Sequence, residues 1–98
     1  MTEYRLRIYE VKQGELEAWI DEWSRLIRPL RERLGFRVLG AWADEESSMF
    51  VWLLGHEGRD GYAAADAAYY ASPERAAIAP DPARHLASTR ELKVEPLV

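Results

Sequence analysis

Apolar and polar residues alternate over residues 4–11 (YRLRIYEV), with Tyr4, Leu6 and Ile8 on one side and Arg5, Arg7, Tyr9 and Val11 on the other. A period of two predicts a strand. Beyond Gly14 the spacing lengthens to three and four: Leu16, Trp19, Ile20, Trp23, Leu26, Ile27, Leu30 and Leu34 fall on one stripe of a helix. Acids come early in that segment and arginines late, matching the helix dipole. Pro29 cannot donate to the carbonyl of Arg25, so a kink or a break is expected there. Gly35 is placed to end the helix, and residues 36–43 (FRVLGAWA) and 49–56 (MFVWLLGH) read as a hairpin joined by a polar turn. A second helix is expected over about residues 60–71. Ser72-Pro73-Glu74 then restarts a short one, with Ser72 as N-cap and Pro73 at the first helical position. Pro80 and Pro82 end it, residues 83–86 form one more turn, and residues 89–94 (TRELKV) alternate as an edge or closing strand.

The order strand, helix, strand, strand, helix, strand is that of the ferredoxin-like βαββαβ plan, an α+β fold with an antiparallel sheet, here read as one domain over 1–98. A sheet covered by helices on one side should be polar on the other. This one is not: Met49, Val51 and Leu53 take one side of the third strand, while Phe50, Trp52 and Leu54 take the other. Something must cover the second apolar face. A second copy of the chain would do so as a homodimer, two sheets enclosing a cavity in a dimeric α+β barrel. The alternative cover is the C-terminal segment 80–98 folding back.

Composition narrows the function. Ninety-eight residues with a net charge of −4 give no basic surface for nucleic acid. There is no cysteine, hence no thiolate nucleophile and no Cys-based zinc site. No apolar run approaches the ~20 residues of a membrane span, and the strand-like opening MTEYRLRIYE reads as cytoplasmic rather than targeted. No motif calls for a cofactor or a metal.

The pattern Tyr4-x-Leu6-Arg7-x-Tyr9-x-Val11-Lys12-x-Gly14 followed by Trp19 and Trp23 resembles the opening of NIPSNAP-family domains. Phe50-Val51-Trp52, Tyr70-x-Ser72-Pro73-Glu74 and Val94-Glu95-Pro96 fit the same family or its dimeric α+β barrel relatives. The resemblance implies a ferredoxin-like subunit and a homodimer, but no catalytic residues. Many members carry a His where Phe50 stands, so a function resting on that His does not transfer to this chain. The wider superfamily includes cofactor-free monooxygenases, polyketide cyclases, lactone isomerases and haem-binding proteins, and membership alone does not choose among them.

Candidate ligand-binding residues are Arg7, Tyr9, Trp42, Trp52 and His56. Should Leu6 and Ile8 meet the helices, Arg7 and Tyr9 face the cavity between the two sheets. There Arg7 would hold a carboxylate or enolate and Tyr9 would relay a proton. The plainer reading pairs Arg7 with an acid across the dimer interface and makes Tyr9 a packing residue. Trp52 and His56 share strand parity, so an aromatic wall with one imidazole suits a flat apolar ligand, with His56 as general base. The plainer reading leaves His56 at the strand end in solvent. The facing of Trp42 depends on whether Gly40 marks a bulge. His85 reads as a surface residue, with haem ligation a remote option. Tyr62, Tyr69 and Tyr70 pack on the sheet, and one of them is placed to gate a cavity mouth. Two functions follow: a barrel that binds a small apolar or aromatic molecule and transforms it without cofactor, or a non-catalytic interaction module with a filled interior. An open pocket of about 300 Å³ with Arg7 and Tyr9 pointing in would favour the first.

Overall fold

The computed structural model describes residues 2–98. Four strands, β1 (Glu3–Val11), β2 (Arg37–Asp44), β3 (Met49–His56) and β4 (Leu86–Val94), form one antiparallel sheet in the order β2-β3-β1-β4. This is the ferredoxin-like order. Between β1 and β2 run α1 (Leu16–Glu22), a π-helical turn (Trp23–Ile27) and α2 (Arg28–Arg33) as one continuous rod. Between β3 and β4 come α3 (Gly61–Ala71), α4 (Pro73–Ala76) and a 3₁₀ turn (Pro82–His85). The molecule is a slab of 39 × 35 × 19 Å, thick enough for one sheet and one helical layer. Among the described residues no helix is long and apolar enough to cross a membrane.

The rod is not broken at Pro29: helix continues through it, preceded by a π turn in which the N–H of Arg28 reaches the carbonyl of Trp23. This has a packing consequence. Trp19, Trp23, Ile27 and Arg31 are spaced by four, a repeat that drifts about 40° per step around an α-helix. The extra residue in the π turn cancels drift, and all four side chains are buried. The rod ends as expected at Gly35 (φ +96°): Gly35 N–H donates to the carbonyl of Glu32 and Phe36 N–H to that of Arg31, the paired bonds of a Schellman end. Ser72 caps α4 as expected, its Oγ accepting from the N–H of Arg75.

The core shows which face of the sheet meets the helices. From the sheet it takes Tyr9, Val11, Phe50, Trp52 and Leu54, and from α3 Tyr62 and Tyr69. The facing expected for β1 is therefore reversed: Arg7 and Tyr9 lie under the helices, and Leu6 and Ile8 lie on the open side. Arg7 is tolerated there because tyrosine hydroxyls and carboxylates surround it. Trp52 is correspondingly 1% exposed, packed edge-on against Trp23 at 5.4 Å. The C-terminal segment does not cover the open face. It pairs with β1 at the edge of the sheet, and β4 begins at Leu86 rather than Thr89.

Candidate functional site

A cavity of about 310 Å³ lies between the sheet and the helices of a single subunit. Arg7, Tyr9 and Trp52 form its floor, and Trp19, Ile27 and Arg31 line it from the first helical rod. Tyr69 and Tyr70 come from the end of α3, and Arg75 and Asp81 close the remaining side. Strand register fixes the floor, since Arg7 pairs with Trp52 across β1 and β3 and with Glu91 across β1 and β4.

Arg7 is the hub. Its Nε donates to Tyr9 Oη (2.7 Å), Nη1 to Glu91 (2.7 Å) and Tyr62 Oη (3.3 Å), and Nη2 to Tyr70 Oη (3.0 Å). Arg31, 1% exposed, donates to Asp66 (2.7 Å) and to Tyr70 Oη (3.4 Å), with its guanidinium carbon 3.7 Å from the Tyr69 ring centroid. Arg75 donates to Asp81 (2.8 Å). Burial pushes the phenol of Tyr9 up, with Arg7 pulling the other way. Burial likewise pushes Tyr62 up to about 12 against the same guanidinium. Both hydroxyls are therefore neutral at physiological pH. Tyr9 accepts from Arg7 and keeps its own proton to give, which makes it an acid or hydrogen-bond donor rather than a base.

Of the residues singled out in the sequence, Arg7, Tyr9 and Trp52 are brought together here. Trp42 and His56 are not. The register slips between Val38 and Gly40, so the bulge suspected at Gly40 is present and turns Trp42 to the open face opposite Val51, where it is 57% exposed. His56 sits at the end of β3, its Nδ1 accepting from the N–H of Gly58 (2.9 Å) and its ring against Phe36 at 5.0 Å, away from the cavity lining. It is thus a strand-end residue engaged in the turn that follows. His85 is buried, not on the surface: its ring nitrogens meet Glu15 (2.7 Å) and Glu22 (2.9 Å), which leaves neither for haem. Arg31 escaped the sequence reading because it looked like a helix-end charge, and Arg75 because nothing in its local pattern set it apart. The signal for Arg31 was its spacing of four from Ile27 just beyond a proline. Tyr70, 49% exposed yet bonded to Arg7, forms the rim of the cavity.

A ferredoxin-like sheet with helices on one face and a polar-floored cavity between them defines a subunit of the α+β barrel class. The NIPSNAP family model matches residues 4–96, and the chain belongs to that family. Its fold is shared with a NIPSNAP domain protein from Burkholderia xenovorans (16% identity, TM-score 0.82, covering 98% of this chain and 94% of that one). A NIPSNAP family protein of unknown function from Agrobacterium tumefaciens is similar to the same degree (18%, TM-score 0.82, covering 97% and 87%). A protein provisionally named an antibiotic biosynthesis monooxygenase, from Bacteroides thetaiotaomicron, also superposes (20%, TM-score 0.73, covering 99% and 90%). No curated protein sequence matches the chain.

Proposed function

We propose that this NIPSNAP-family chain forms a homodimer, open sheet face to open sheet face, and that each subunit binds a small apolar or aromatic molecule in its own sheet–helix cavity. The cavity carries the reading: about 310 Å³ is within the range of small-molecule sites, and it combines an aromatic wall with the Arg7 guanidinium on its floor. In the catalytic form of this proposal the chemistry is cofactor-independent, of the cyclase, isomerase or monooxygenase type. Arg7 stabilises negative charge on an enolate or phenolate oxygen while Tyr9 donates a proton. The fold shared with a provisionally named monooxygenase is compatible with that chemistry but does not select it. Native mass spectrometry of protein isolated from its source tests both halves. The expected result is a dimer that retains about one small molecule per subunit, and Arg7→Leu should lose the molecule while remaining dimeric. A ligand retained equally by Arg7→Leu would remove Arg7 from the site. A dimer that never carries a ligand, and binds none offered, would return the chain to the class of interaction modules.

A further inference from the structure

Three guanidinium groups line the cavity, and all are largely buried: Arg7, Arg31 and Arg75 have side-chain exposures of 11%, 1% and 11%. The acids that balance them stand further out. Asp66 and Glu91, 24% and 36% exposed, do not line the cavity, and Asp81 reaches it with 60% of its side-chain surface still in solvent. Positive charge is turned inward and negative charge outward, in surroundings where water screens poorly.

Donors are also left over. Arg31 Nε, Arg75 Nε, Trp52 Nε1 and Tyr69 Oη are buried and make no hydrogen bond. The Trp52 indole and the Arg75 guanidinium lie near enough to Tyr9 and Tyr69 to favour their phenolates, but outside bonding geometry. Buried donors are normally matched, and these four belong to side chains that line the cavity, so a modest side-chain shift would bring them to an acceptor bound there. Arg31 and Arg75 flank the same two rings, their guanidinium carbons 3.7 and 6.0 Å from the Tyr69 centroid and 5.3 and 5.9 Å from that of Tyr70. Each is paired with a single carboxylate, Arg31 with Asp66 and Arg75 with Asp81, and an anion in the cavity reaching both guanidinium groups would add a second counter-charge in poorly screened surroundings.

We infer that the molecule bound here is an aromatic carboxylate of one or two rings, its ring against Trp52 and Ile27 and its carboxylate at Arg31 and Arg75. The inference rests on the cavity being a ligand site, as proposed above, and adds the anionic end. The volume agrees, being roughly ten waters at ~30 Å³ each, and a planar guanidinium is matched to a carboxylate by shape as well as charge.

Calorimetric titration of the full chain with 2-naphthoate and its neutral counterpart 2-naphthamide tests this. Naphthoate should bind tighter by about tenfold to a hundredfold, the range for hydrogen bonds to a charged partner. Arg75→Leu, at the cavity side and outside the Arg7–Tyr9 pair, should lower that ratio severalfold, the remainder being held by Arg31. A circular-dichroism melt confirms that the variant is folded, and Arg75→Lys should recover part of the preference. Equal affinity for the two probes in the unmodified protein overturns the anionic end and leaves the cavity reading standing. A naphthoate preference undiminished in Arg75→Leu overturns the assignment of the carboxylate to this pair. Failure of both probes to bind overturns the inference and counts against the cavity itself.

Discussion

His85 is buried where the 3₁₀ turn meets α1, between two carboxylates that favour its protonated form. The imidazole lies between Glu15 and Glu22, while Arg84 makes two bonds to Glu22 (2.9 and 2.8 Å), so the 3₁₀ turn is tied to α1 by one charged cluster. Burial works to lower the pKa of His85, but the hydrogen bonds from Glu22 and Glu15 outweigh it and raise the value. A raised folded pKa stabilises the protein fully below the unfolded value of about 6.5, and that stability is lost as pH rises through the folded value. Glu22 runs the other way. Burial works to raise its pKa, but Arg84 and His85 hold it low, so its contribution is lost only as pH falls below the ordinary carboxylate range. His85→Gln should lower stability by about 1–3 kcal/mol on the acid side of neutrality and flatten the decline above it. Urea denaturation at a series of pH values checks both, and a variant with the same slope as the parent would remove His85 from the switch. This cluster was half legible in the sequence. Glu15 and Glu22 are seven apart, two turns on one helical face, but their fit to the helix dipole offered a sufficient explanation and hid the partner seventy residues away.

At the scale of elements, strand and helix limits were readable to within a residue or two where Gly14, Gly35, Ser72 and the prolines punctuate the chain, whereas β4 begins three residues earlier than its alternation suggested. The facing of β1 was not readable. Both sides of β3 are apolar, so alternation could not say which side meets the helices, and Arg7 was placed on the side away from them, whereas three tyrosine hydroxyls receive it beneath them. Trp42 shows the same limit from the other direction. One extra residue at the bulge inverts its side, and the sequence signals only that a bulge is allowed. The end of the first helical rod, by contrast, is a local matter and supports a local prediction. At Gly35 an added Cβ meets nothing closer than 3.9 Å, so the cost of Gly35→Ala is that of the left-handed backbone alone. It should destabilise the fold by about 1–2 kcal/mol, measured by chemical denaturation, with Gly35→Asn costing less. An unchanged midpoint for Gly35→Ala would mean that the Schellman end does not persist in solution. It should persist, because that end delivers Phe36 to the Arg31 guanidinium at 4.7 Å and to the Tyr62 ring at 5.6 Å.

For the whole molecule, the two faces of the sheet divide the work. The covered face encloses the cavity. The open face presents cross-strand rows that are mostly apolar, Leu92 beside Leu6 beside Leu53, then Arg90 beside Ile8 beside Val51 beside Trp42. Glu10 and Asp44 sit at one end of it, and Arg90 is the charged member of the central row. An apolar sheet face of this kind favours an interaction partner, and the slab has no third layer to cover it; the homodimer proposed above would do so. A second copy supplies a face of the same shape and twist, the self-complementary requirement of a two-fold interface. Trp42 reports on this directly: Trp19, Trp23 and Trp52 are 2%, 5% and 1% exposed, so only Trp42 has an environment that association can change much. Diluting the protein should shift tryptophan emission to the red as dimers dissociate, and Trp42→Phe should abolish the shift without altering the emission of the other three. Ile8→Asp, which puts a charge in the middle of the open face and none in the cavity, should give a folded monomer by sedimentation whose emission is red-shifted at every concentration. A parent chain that sediments as a monomer at micromolar concentration, or an Ile8→Asp chain that still dimerises, would place the second apolar face in some other contact.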